Sequence, residues 1–186
     1  MADIVRVAAF VSVVAVGLSG DLLGTAVLAL ALLGAVVPRF LGVRPALDLA
    51  FATAVLVAAW SSIFDLYTAV AGWDDIVHFF TNGATAALLF VLLARLRIAP
   101  SPQDPSVSTA SLVVLTVAFG LSTGVLWEIA EWAGHTYIDP SIFVEYNDTI
   151  GDLVVDGLGA LAAGVGLRYF SANNRSVQHP RTVSSH

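Results

Sequence analysis

The chain has 186 residues, with 14 Asp and Glu against 8 basic residues, all of them Arg, for a net charge of −6. It has no Cys and no Lys, which excludes disulfides, thiolate ligands, Cys nucleophiles and Lys Schiff bases, and the acidic balance argues against nucleic-acid binding. Hydrophobic residues make up 58% of the chain and the mean hydropathy is +0.85, above the roughly 45–50% apolar content of soluble domains. The apolar residues lie in long runs, so the expected fold is all-α: a polytopic transmembrane helical bundle with membrane lipid as its surroundings.

Six spans are predicted, at about 4–18, 22–37, 46–71, 74–96, 108–136 and 148–169, within a single bundle over residues 1–170. The first run ends in Gly17-Leu18-Ser19-Gly20, a pattern like a signal-peptide cleavage site, but a second run follows at once and the pair reads as a helical hairpin. Pro38 and Pro45 are expected to bracket a short loop. The third span carries Asp65 near its far end, and Gly72-Trp73 leads into the fourth. Residues 97–107 contain Pro100, Pro102 and Pro105 and read as an irregular loop. The fifth span exceeds the bilayer thickness and must tilt or project. Residues 171–186 read as a disordered polar tail on the cytoplasmic side.

With six spans, every Arg falls on one side. Cytoplasmic loops concentrate basic residues, so both termini are expected in the cytoplasm and the protein in the plasma (inner) membrane as a multi-pass protein. The opposite side receives Asp74, Asp75, Glu128, Glu131, Asp148, Asp152 and Asp156, with Trp73, Trp127, Trp132 and Tyr137 at the level of an aromatic belt.

At about 100° per residue, Glu128, Glu131 and His135 share one helix face, and Asp148, Asp152 and Asp156 share another. Asp75, His78 and Asn82 repeat at i, i+3, i+7, with Asp74 one turn before His78. Asp148 and Asp74 also suit helix N-termini, where a carboxylate meets the positive end of the dipole. Asp152 and Asp156 lie too deep for that role, and ionisable groups at membrane depth usually face a bundle interior, a partner or a wet cavity. Crowded carboxylates without Arg or Lys cannot all ionise, so either some hold protons or a cation is bound. Carboxylates with imidazoles suit a borderline divalent metal such as Zn²⁺, Mn²⁺ or Fe²⁺. The candidate ligands are His78, Glu128, Glu131, His135, Asp152 and Asp156, and the candidate catalytic acids and bases are Asp75, Glu128, Asp152 and Asp156. Gly120-Leu121-Ser122-Thr123-Gly124 spells a nucleophile elbow, yet it lies within a membrane helix and reads as a packing face. Gly157-x-Gly159-x-x-Ala162 reads the same way.

Asp74-x-x-x-His78-Phe79, Glu128-x-x-Glu131-Trp132, Asp148-Thr149-x-x-Asp152 and Gly159-Ala160 resemble, in order and spacing, the motifs of the YjdF-like and VanZ-like small bacterial membrane proteins. The likeness covers about residues 73–166 and is closer to the YjdF-like members. From the VanZ-like pattern the chain departs at Glu131, where that pattern has Gln, and at Asp156, where it has Asn. It also lacks that pattern's Arg before the sixth span. The resemblance implies one site built from these residues and no particular reaction.

Three functions suit this pattern. The first is a metal-dependent enzyme in which a carboxylate or an activated water attacks an outer-leaflet lipid headgroup or a lipid-linked envelope intermediate. The second is a non-catalytic membrane scaffold or partner protein, with the polar cluster knitting helices together. The third is a cation- or proton-coupled transporter, disfavoured by an inner half with few polar groups besides Asp48 and by the lack of an inverted repeat.

Overall fold

The structure, a computed structural model, describes residues 1–171. These form α1 (Ala2–Ser19), α2 (Leu22–Leu41), α3 (Pro45–Ile63), the single turn α4 (Leu66–Ala69), α5 (Trp73–Arg95), α6 (Thr109–Tyr137), α7 (Tyr146–Val165) and α8 (Leu167–Ser171), with no strand among the described residues. Five helices, α1, α2, α3, α5 and α6, are long and apolar enough to cross a membrane. At 20 residues α7 has the length as well, but Asp148, Asp152 and Asp156 interrupt it and set it apart from the five.

The local chemistry explains the boundaries. Gly20, at φ 86°, ends α1 in the left-handed conformation that glycine adopts without penalty. Asp21 then caps α2 by accepting from the Gly24 amide at 2.8 Å. Two expected ends move. Pro38 lies inside α2, whose last turn continues to Leu41, so the helix outruns the predicted stop at residue 37. A proline this close to a C-terminus forfeits only the bond to the Gly34 carbonyl, and the next carbonyl, that of Ala35, accepts from Arg6 Nε at 2.8 Å. The third span stops at Ile63 and not near residue 71, because Asp65 takes a left-handed backbone (φ 53°) and opens the separate turn α4. The predicted tail lies outside the described residues except for Ser171, which closes α8.

Helices α5, α6 and α7 pack as one unit, and glycine sets their spacing. A Cβ on Gly159 of α7 would fall on the Phe79 carbonyl oxygen of α5, and one on Gly83 would stand 2.7 Å from the Gly159 carbonyl oxygen. Against α6, Gly120 meets the Ala160 side chain, Gly124 meets the Asp156 carboxylate, and Gly164 lies against Val113 and Thr116. Small residues let backbones touch where lipid supplies no hydrophobic drive for helix association. Phe90 and Leu112 fill the core on the other side of this unit, with Leu47 and Phe51 reaching in from α3. Helices α1, α2 and α3 add a second layer around Leu28, Ala31 and Ala59.

The arginines tie the opposite ends of these helices together. Arg6 pairs with Asp48 of α3 and, at 2.8 Å, with Asp3, which also holds Arg39 of α2 at 2.8 Å. Arg168 donates to the carbonyls of Pro102 (2.9 Å) and Val107 (2.5 Å), anchoring the proline-rich loop to α8. In that loop, hydrogen bonds from the Ser106 hydroxyl and amide hold the Asp104 carboxyl below its ordinary range. Arg44 stacks 4.2 Å above the Tyr169 ring. This end is thus closed by guanidinium contacts, and the acidic motifs lie elsewhere.

Gly159→Ala tests the glycine spacing. Its methyl group meets backbone that cannot rotate aside, so it is expected to cost about 1–3 kcal/mol and to lower the unfolding midpoint of the detergent-solubilised protein by several degrees. An unchanged midpoint would contradict the close approach of α5 and α7.

Candidate functional site

Asp74 and His78 stand one turn apart near the start of α5, following Gly72, whose φ of 73° swings the chain from α4 into the helix. Asp152 and Asp156 stand one turn apart on α7. Because Gly83 and Gly159 let these two helices touch, the four side chains share one interface. One ligand-type atom from each of Asp74, His78 and Asp152 lies within 4.8 Å of the other two. His78 Nε2 is 3.6 Å from Asp74 Oδ1, and His78 Nδ1 is 3.2 Å from Asp156 Oδ1.

Burial makes the arrangement costly. Asp152 is 3% exposed and Asp156 1%, and among the described residues neither meets an Arg. The second oxygen of Asp156, Oδ2, has no hydrogen-bond partner and packs against Gly124. On α6, Glu128 and Glu131 are half-buried beside this group. Glu128 is in electrostatic reach of Asp74 and Asp152, and Glu131 of His78 and Asp74. Glu128 Oε1 is likewise buried without a partner.

Below the acids, hydrogen bonds join α5 to α6, although Thr81 Oγ1 is buried there without a partner. Asn82 Nδ2 donates to the Gly120 carbonyl at 2.9 Å, and Thr123 Oγ1 donates to Asn82 Oδ1 at 2.6 Å, so Asn82 pins α5 to α6 and is spoken for structurally. Above the acids, α4 brings in Tyr67, whose hydroxyl donates to the Ala58 carbonyl at 2.9 Å. Burial, followed by the charges of Asp74 and Glu131, pushes its phenol above the ordinary range, so the hydroxyl keeps the proton that it gives to that carbonyl. Sequence reasoning missed Tyr67 because it treated residues 46–71 as one helix.

The predicted site residues therefore divide. His78, Asp152 and Asp156 come together, with Glu128 and Glu131 alongside. Asp75 is exposed, and Asp74 occupies the interface in its place, since α7 packs on the Asp74 side of α5. His135 is committed elsewhere: its Nδ1 donates to the Ile142 carbonyl at 2.6 Å and fastens the loop between α6 and α7. In that loop the Ser141 amide holds the Asp139 carboxyl below its usual range. Asp148 lies in the first turn of α7, half-buried; the cap position is Glu145, which makes no side-chain capping bond.

A membrane-embedded bundle carrying these motifs matches a described family over residues 1–173. The chain belongs to DUF2238, a family of predicted membrane proteins. No curated protein and no solved structure matches it. DUF2238 membership agrees with the five apolar helices and covers all of the residues that build the Asp/His group.

Proposed function

We propose that this DUF2238 protein holds a divalent cation in the outer third of the membrane and uses it on a lipid headgroup or a lipid-linked envelope intermediate. The observation that carries the reading is the convergence of Asp74, His78 and Asp152 within 4.8 Å at a buried helix interface that meets no Arg among the described residues. Carboxylates in that position repel one another unless protons or a cation intervene, and imidazole with carboxylate suits Zn²⁺, Mn²⁺ or Fe²⁺. Asp74, His78 and Asp152 hold the ion, and Glu128, with a buried oxygen that no other group engages, takes or gives the proton of the reacting group. When bound, such an ion polarises a phosphoryl or carbonyl oxygen. Trp127 and Trp132, about half exposed, wall the lipid-side approach. Asp75 and His135 are left out of this assignment.

The finer topology belongs to the same proposal. Helix α7 is the sixth span: its three Asp face inward and its apolar residues, among them Val154, Leu158 and Leu161, are exposed where lipid would cover them. Both termini are cytoplasmic, in the plasma membrane, because the paired arginines gather at one end and the acids at the other. The YjdF-like resemblance supports this reading, since its motifs supply Asp74, His78, Glu128, Glu131 and Asp152. A scaffold role would use the same acids only to join helices.

Two measurements test the proposal. After chelator washing and readdition of Zn²⁺ or Mn²⁺, the purified wild type and His135→Ala are expected to retain a stoichiometric ion, while Asp152→Asn loses it and stays folded. Folded wild type that binds no ion sinks the metal reading, and a collapse of the fold in Asp152→Asn favours the scaffold. For topology the cysteine-free chain is convenient. A membrane-impermeant maleimide applied to intact cells is expected to label Ser141→Cys and to reach Ser101→Cys only after permeabilisation, and the reverse pattern would invert the orientation.

A further inference from the structure

The two nitrogens of His78 face different partners, and that asymmetry assigns unequal roles to the carboxylates around it. Nε2 faces Asp74, at 3.6 Å, and Asp152 supplies the third ligand-type atom of the group, within 4.8 Å of those of Asp74 and His78. Nδ1 faces Asp156, at 3.2 Å. Asp156 is one turn deeper on α7 than Asp152, about 6 Å along the helix. It is 1% exposed and is closed off by α6, where a Cβ on Gly124 would occupy the place of its Oδ2. Its one polar partner among the described residues is the His78 ring.

We infer that Asp156 is a positioning residue and not a ligand: it accepts the Nδ1–H of His78 and so presents the Nε2 lone pair to an ion shared with Asp74 and Asp152. The inference rests on the cation-site reading above. A ring nitrogen that donates to a carboxylate fixes the tautomer, turns the other nitrogen into an acceptor and raises its basicity as a ligand. Gly124 completes the device by leaving room for the carboxylate that locks the ring. The resulting donor set is one imidazole nitrogen and two carboxylates, with the mouth side left for substrate. Such a mixed set selects a borderline first-row divalent ion over Mg²⁺ or Ca²⁺, which prefer oxygen alone. It also separates the two deep aspartates of α7, which share a helix face but not a task.

The test uses the full-length protein in detergent with Zn²⁺ as the probe. Competition with a chelator is expected to show about 10-fold weaker binding for Asp156→Asn, which keeps an acceptor oxygen, and up to about 100-fold weaker binding for Asp156→Ala, both at wild-type stoichiometry. Asp152→Ala is expected to lose stoichiometric binding. In ¹⁵N-histidine spectra of Zn²⁺-loaded wild type, His78 should show a protonated Nδ1 and a metallated Nε2, a signature that a purely structural role would not produce. A metallated Nδ1, or loss of stoichiometric binding in Asp156→Asn while that variant remains folded, would make Asp156 a ligand and overturn the inference. Wild-type affinity in Asp156→Ala would overturn it as well while leaving the cation site standing. Wild type without Zn²⁺ would bring down both.

Discussion

The structure depends on burying two aspartates of one helix where, among the described residues, no guanidinium reaches them. An ionised carboxylate taken out of water loses several kcal/mol of solvation unless a charge or hydrogen-bond donors replace it. Asp156 has His78; Asp152, almost as deeply buried, has His78 as its one cationic neighbour among the described residues and otherwise faces acids, Asp74 and Glu128 among them. The fold does the opposite with Arg6, Arg39, Arg44, Arg95 and Arg168, which find a carboxylate, a carbonyl or an aromatic face at the far end of the bundle. That segregation removes the ordinary neutralising partners from the acids and leaves a cation or protons to do the work.

Holding such a group together requires stiff support, which the glycines and the hydrogen bonds beneath the site supply. Gly83 against Gly159 brings the backbones of α5 and α7 into contact, so that residues one turn apart on each helix interleave. Gly120 and Gly124 of α6 instead leave room for the Ala160 and Asp156 side chains of α7. Asn82 and Thr123 then lock α5 to α6 with bonds of 2.9 and 2.6 Å, just below the carboxylates. In hydrocarbon such contacts replace the hydrophobic drive that assembles water-soluble bundles. The site is thus placed by the rigid part of the fold, while the lighter parts, α4 and the loop fastened by His135, lie around its mouth.

Much of this was legible in the sequence. Long apolar runs announce the helices α1, α2, α3, α5 and α6, and helical periodicity puts Asp152 with Asp156 and Glu128 with Glu131 on shared faces. Three things were not legible, each for a physical reason. Periodicity ranks Asp74 and Asp75 almost equally beside His78, because the neighbour that decides between them, α7, is far away in sequence. His135 shares a face with Glu131, but helix α6 carries it beyond the acids and the following loop captures its ring. The break at Asp65 depends on a left-handed backbone at a residue that could equally have continued the helix, and without it Tyr67 stays hidden in a span. The different settings of Asp152 and Asp156 also had to wait for the ring of His78, since spacing alone makes the two equivalent.

X-ray absorption on the Zn²⁺- or Mn²⁺-loaded protein tests the central claim most directly, because it reads the atoms around the ion without reference to any reaction. The account predicts a first shell of oxygen with nitrogen, accompanied by the outer-shell scattering of a single imidazole that vanishes in His78→Ala. A shell of oxygen alone, or one unchanged in His78→Ala, would contradict it.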